Sequence, residues 1–204
     1  KVKVRFAMKR YDKITPEGTR DLLFEDCAAQ DQVVAALSGL FSRRGYRKVV
    51  TPTLEFYDVF AESSAHFPQE NMYKLCDHAG RLMVLRPDCT IPIARLAATR
   101  LKDSPLPIRL YYAENVYRVE HHLRGRASEI FQCGVELIGA SGILSDLEIT
   151  QLAAESLEQI GGYRMELCHI GYFKAVIDSL EADDGLKETI RQEIEEKNYA
   201  ALRD

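Results

Sequence analysis

Between residues 24 and 44, Val33, Leu37, Leu40 and Phe41 recur at i, i+4, i+7 and i+8, and Gly45 follows a basic last turn. That spacing predicts an amphipathic helix closed by glycine. The next stretch, YRKVVTPTLEF, is rich in β-branched residues and broken at Pro52, and MYKLCDHAGRLMVLRP reads as two short strands joined by a turn at residues 78–80. After Pro87 the period changes. Ile93, Ala97 and Leu101 are helically spaced, so TIPIARLAATRLK predicts a helix with Thr90 as its N-cap and Pro92 tolerated in the first turn.

Two longer extended segments follow, at 108–119 and 128–139. In the second, Phe131, Cys133, Val135 and Leu137 alternate with Gln132, Gly134, Glu136 and Ile138. A helix over 145–160 carries Ile149, Leu152, Ala153, Leu157 and Ile160 on one face and stops at two glycines. YRMELCHIG then predicts a further strand, and YFKAVIDSL and LKETIRQEIEEKNYAALRD predict increasingly charged helices. Strands mixed with helices but without regular alternation place the fold in the α+β class, a mainly antiparallel sheet flanked by helices. The domain reading is a core over residues 1–180 and the start of a further helical part over 181–204, with EADDG as the soft boundary.

Composition narrows the function classes. A hydrophobic content of 46% supplies a core, and a net charge of -4 argues against a surface built to coat nucleic acid. The five cysteines, Cys27, Cys76, Cys89, Cys133 and Cys168, never fall in a C-x-x-C spacing, so neither a disulfide framework nor a zinc ribbon is expected. With no apolar run long enough to span a bilayer and no signal-like start, the expectation is a cytoplasmic protein away from membranes.

Polar chemistry concentrates in two places. Glu114, Arg118 and Glu120 share a parity on one strand, as do Gln132 and Glu136 on the next, with Gly134 leaving room between them. Arg118 offers a fork for phosphate or carboxylate, Glu120 an acceptor for an amino group, and Gln132 and Glu136 partners for an ammonium group. The spacing alone leaves two readings open: outward charges that pair with one another, or a binding surface. In LRPDCT, residues Arg86, Asp88 and Thr90 stand where a strand meets a helix N-terminus, as helix caps or as ligand contacts. The adjacent His121 and His122 lack a second ligand pair, so no metal site is expected.

Taken together, ITPEGTRDLLFEDC, TPTLE, YKLCDHAGRLMVLRPDCT and RLYYAENVYRVEHHLRGRASEIFQCGVELIG resemble the class II aminoacyl-tRNA synthetase core of histidyl-tRNA synthetases, in order and spacing, from Ile14 to the segment LCHIGYFKAVIDSL. The resemblance implies that YRVE belongs to the family's motif 2, with Arg118 on the α-phosphate of ATP and Glu120 on the adenine. It further implies that Asp88, Thr90, Arg126, Gln132 and Glu136 line the histidine and adenylate pocket. The chain departs from the synthetases in RPDCT, where they carry RPEGT, and in Ser128, where a basic residue often lies.

TPEGTRDLL, LRPDCTIPIARLAA and FQCGVELIG are more similar to the ATP phosphoribosyltransferase regulatory subunits, synthetase-like proteins without aminoacylation activity. That resemblance implies a non-catalytic subunit serving the first step of histidine biosynthesis. Expected partners are a short-form catalytic subunit and a second copy of the chain, with histidine as effector and no cofactor. The alternative implied is a histidyl-tRNA synthetase. On either reading the chain is expected to be the N-terminal portion of a core incomplete at its C-terminus, because the synthetase motif 3 arginine is absent from it.

Overall fold

The helical stripe beginning at Val33 becomes α1 (Glu25–Arg43), with Leu37, Leu40 and Phe41 buried and Val33 exposed. The computed structural model describes residues 11–61, 68–119, 127–195 and 198. It divides into two units, Lys1–Gly162 and Tyr163–Asp204, and the division lies ahead of the soft boundary at 181.

In the first unit, β1 (Arg47–Lys48) runs parallel to β5 (Ile108–Tyr117), which pairs antiparallel along its whole length with β6 (Glu129–Ile138). A second, fully antiparallel sheet has the order β2 (Leu54–Phe56), β4 (Leu82–Leu85), β3 (Lys74–Cys76). The β3–β4 turn is organised by Asp77, whose carboxylate accepts from the backbone N–H groups of Ala79 and Arg81, each at 2.8 Å. Short helical pieces, α2 (Asp58–Ala61) and a 3-10 turn at Gln69–Asn71, accompany this sheet, and Phe60, Met72 and Val84 form its core.

The β5–β6 register pairs Leu110 with Glu136, Tyr112 with Gly134 and Glu114 with Gln132, so even-numbered residues of both strands share one face. The odd-numbered face packs Tyr111, Cys133 and Val135 against α1 and α4 (Ile143–Glu158), through Leu40, Phe41, Ile149 and Leu152. Phe41 and Tyr111 meet with ring centroids 5.6 Å apart and planes tilted by 54°, a favoured aromatic arrangement. The even face packs Leu110, Tyr112 and Val116 against Cys89 and Ile93 at the start of α3 (Thr90–Thr99). Both faces of β5 are therefore covered, which is why its burial does not alternate cleanly.

The second unit holds α5 (Ile170–Asp178) and α6 (Asp184–Glu195). The strand expected in YRMELCHIG is not formed: residues 163–169 carry no regular structure, and helix begins at Ile170. A strand needs a neighbour's ladder, and this unit has no strand among its described residues to supply one. His169 instead caps α5, with Nδ1 accepting from the Tyr172 N–H at 3.3 Å. No helix among the described residues is long and apolar enough to cross a membrane.

Candidate functional site

The connection from β4 to α3, residues 86–89, lies against the even face of β5 and β6. Arg86 is nearly enclosed: its Nη1 lies 3.0 Å from Glu114 Oε2 and donates to the Thr51 carbonyl at 2.7 Å, while Nε donates to the Asn115 carbonyl at 2.9 Å. Thr51 in turn donates from N–H and hydroxyl to the same Glu114 oxygen, each at 3.3 Å. Glu114 was expected to join the convergent polar face, but these partners consume it inside the protein. A buried charge needs this degree of pairing to be tolerated.

Two residues on, the helix start assigns roles the other way round from the sequence reading. Cys89 occupies the N-cap position of α3 and Thr90 is its first residue. Asp88 does the capping: its Oδ1 accepts from the Ile91 N–H at 3.0 Å. Thr90 is thereby free to donate its hydroxyl to Glu136 Oε1 at 2.7 Å, joining α3 to β6. Pro92 falls in the first turn, where its missing N–H costs no hydrogen bond.

Burial raises the Glu136 carboxyl above its ordinary range, with the nearby Asp88 charge adding and the Thr90 hydroxyl opposing. Burial also pushes the Cys89 thiol up to about 12, so it is a neutral core thiol and not a nucleophile. Tyr112, on the same face as Glu114, is buried between Cys89 and Gly134.

At the far end of β5, Arg118 donates Nε–H to the Pro87 carbonyl at 2.9 Å, and its own N–H donates to Ser128 at 2.9 Å. Ser128 is buried, and the carbonyl of Gly18 accepts its N–H at 2.7 Å. Gly18 adopts φ +75, and a Cβ there would stand 2.3 Å from Ser128 Oγ. The close approach of the 15–19 turn accounts for a small residue at position 128.

The rung of Glu136 is Leu110, eight residues before Arg118, or about 26 Å of strand. The side chains nonetheless lean toward a shared segment: Arg118 reaches Pro87, and Glu136 reaches Thr90 only three residues later, at most about 10 Å of chain. Asp88, Thr90 and Glu136 thus gather toward one end of this face, Arg118 stands toward the other, and Gln132, paired with Glu114, lies midway along the ribbon. Glu120 and Arg126, together with His121 and His122, lie outside the described residues. A cavity of about 440 Å³ sits elsewhere, lined by Arg44, Arg109, Glu148 and Leu152. Its charges are already paired, Arg109 with Glu148 at 2.8 Å and Arg44 with Glu155, so it offers no comparable polar convergence.

Comparison with known proteins assigns this architecture. The family model described as histidyl-tRNA synthetase matches residues 18–204. The chain belongs to the histidyl-tRNA synthetase family. Within it, the chain is 42% identical over 199 residues to a protein of Clostridium kluyveri named ATP phosphoribosyltransferase regulatory subunit, covering 97% of this chain and 51% of that protein. A crystal structure from Bacillus halodurans, described as an ATP phosphoribosyltransferase regulatory subunit/histidyl-tRNA synthetase, superposes with a TM-score of 0.85 at 34% identity, over 96% of this chain and 51% of that one. The histidine–tRNA ligase subunit of Alicyclobacillus acidocaldarius gives a TM-score of 0.78 at 26% identity, over 97% of this chain and 57% of that one. The chain spans about half the length of the curated relatives it matches. The α+β class II synthetase-like core read from the sequence is therefore the observed fold.

Proposed function

We propose that this chain is the N-terminal part of a non-catalytic regulatory subunit of ATP phosphoribosyltransferase, acting in the first step of histidine biosynthesis. The observation that carries the reading is the run of curated relatives, 37% to 42% identical over nearly the whole chain, that bear that name. On this reading the full-length protein works in the cytoplasm as a homodimer, associates with the short-form catalytic subunit and transmits feedback by histidine. Such coupling requires histidine to bind one state of the assembly better than another.

The site is suited to that role. Asp88, Thr90, Gln132 and Glu136 present acceptors to the amino group and ring of an amino acid, and Arg118 presents a cation to its carboxylate or to a phosphate. Glu120 and Arg126 complete the pocket on the family pattern. The reading predicts that the full-length protein, mixed with the catalytic subunit, raises the rate of phosphoribosyl transfer to ATP and makes that rate sensitive to histidine. An unchanged rate and unchanged histidine response would refute it.

A second reading, a histidyl-tRNA synthetase, is favoured by the family model and by the likeness to a histidine–tRNA ligase subunit. Histidine-dependent exchange between ATP and pyrophosphate by the full-length protein separates the two: sustained exchange supports the synthetase.

A further inference from the structure

Across the end of the ribbon away from Arg118, two cavities join. The cavity of about 440 Å³ lined by Arg44, Arg109 and Glu148 and a second of about 350 Å³ share Gly45 and Arg109 in their walls, so they form one groove. It runs from α4 to β1 and is built within the first unit. On the α4 side the wall is Leu144, Leu147, Glu148, Gln151 and Leu152, at i, i+3, i+4, i+7 and i+8, the spacing of one helix face. Leu152 is buried in the core, whereas Leu144 and Leu147 are 77% and 58% exposed, and Ile143 beside them is 81% exposed. Apolar residues clustered at core spacing but left in water mark an interaction surface.

On the β1 side the character changes. Arg47 and Lys48 stand exposed in the wall beside Val49, Leu101 and Ile108. Neither cation pairs with a carboxylate among the described residues, nor do Arg43, Arg100 and Lys102, the exposed sequence neighbours of wall residues Arg44 and Leu101. The acids at the groove are largely spent: Glu148 holds Arg109 and Glu155 holds Arg44, which leaves the exposed Asp103 beside Ser104. In a chain of net charge -4, these cations make a positive patch on a negative molecule.

We infer that this groove docks an acidic segment of the catalytic subunit that also carries aliphatic side chains. Its carboxylates meet Arg47 and Lys48, and its aliphatic groups cover Leu144 and Leu147. The inference rests on the proposed regulatory reading and names the surface through which that partner is held. Complementary charge sets the rate of encounter and selects an acidic partner, while apolar burial sets the lifetime of the complex. A symmetric contact between two copies of this chain fits less well, because it sets a basic, apolar groove against itself and supplies no acid.

The test is surface plasmon resonance between the full-length protein and the short-form catalytic subunit. The wild type associates at a rate that falls about tenfold as salt rises from about 0.05 to about 0.5 M. In R47E/K48E the low-salt association rate drops about tenfold and its salt dependence flattens. In L144S/L147S the association rate holds and dissociation quickens about tenfold. All four side chains are exposed, and both variants keep the wild-type circular dichroism spectrum. Unchanged rates in either folded variant overturn the groove as the docking surface and leave the regulatory reading standing. A changed oligomeric state in light scattering, or a lowered thermal midpoint with unchanged affinity, gives the groove to a second copy or to the remainder of the full-length chain and overturns the inference as well. A wild-type protein without affinity for the catalytic subunit overturns the regulatory reading and this inference with it.

Discussion

The two faces of the β5–β6 ribbon are built from the same strands and serve different ends. The odd face buries Tyr111, Cys133 and Val135 under α1 and α4 in a continuous apolar layer, with its ion pairs confined to the rim. The even face interrupts an apolar cluster with Glu114, Gln132 and Glu136 and covers them with a loop and a helix start. Where one face is chiefly apolar packing, the other holds polar groups close to the core. Some of these are satisfied internally, as Glu114 is by Arg86 and Thr51, and others are bonded at one atom only, as Glu136 is by Thr90 among the described residues. Spare bonding capacity is what a binding surface needs and what a core avoids.

The comparison breaks most severely at Glu114. Glu114→Ala leaves Arg86 buried without its counter-charge and should cost about 3–5 kcal/mol in denaturant unfolding. The double replacement Arg86→Met with Glu114→Leu should cost far less than either single change, since no buried charge remains unpaired. On the odd face, Leu152→Ala should cost about 2–5 kcal/mol, with no change in histidine affinity once the remaining folded fraction is counted.

Two carboxylates sharpen the contrast through pH. Glu148, on the rim of the odd face, takes two hydrogen bonds from Arg109 at 2.8 Å and one from Tyr46 at 2.9 Å, and the Arg109 bond leads in holding its carboxyl down from 4.5 to about 2. A depressed folded value means that its contribution is present above the ordinary range and disappears as pH falls through about 2. Because the pair is partly exposed, Glu148→Gln should cost no more than about 1 kcal/mol at neutral pH, and the loss should shrink on acidification. The phenol of Tyr46, raised to about 12 chiefly by burial, stays protonated throughout this window.

Glu136 has the opposite sign. Its folded value is raised, so its favourable contribution is present below the ordinary carboxylate range and is lost as pH rises through the folded value. Glu136→Gln should therefore raise the thermal midpoint slightly at pH 7, an advantage that vanishes near pH 4, while weakening the histidine binding proposed above. A lowered midpoint at pH 7 would place Glu136 with the structural carboxylates of the other face and against a binding role.

Much of this was legible in the chain. Helical and alternating periods located α1, α3, α4 and the β5–β6 ribbon, because the residues that repeat are the ones the core covers. Parity also placed Gln132 and Glu136 on one face with Arg118. What periodicity missed depended on distant partners. Nothing local to Glu114 announces Arg86 and Thr51, and nothing in YRMELCH reveals that the described residues of its unit supply no strand to pair with it. Asp88 and Thr90 both qualify as caps by type, and only the approach of β6 decides that Asp88 takes the helix end and Thr90 takes Glu136.

The sequence by itself determined the long helices and the paired strands of the first unit, their order and the family to which the core belongs, since local periods and spaced motifs are written along the chain. The tertiary structure alone decided which polar groups are consumed inside the protein and which keep bonding capacity. Satisfaction of a buried donor or acceptor is a property of the groups that surround it in space, and for Glu114 and Glu136 those groups come from segments far apart in the chain.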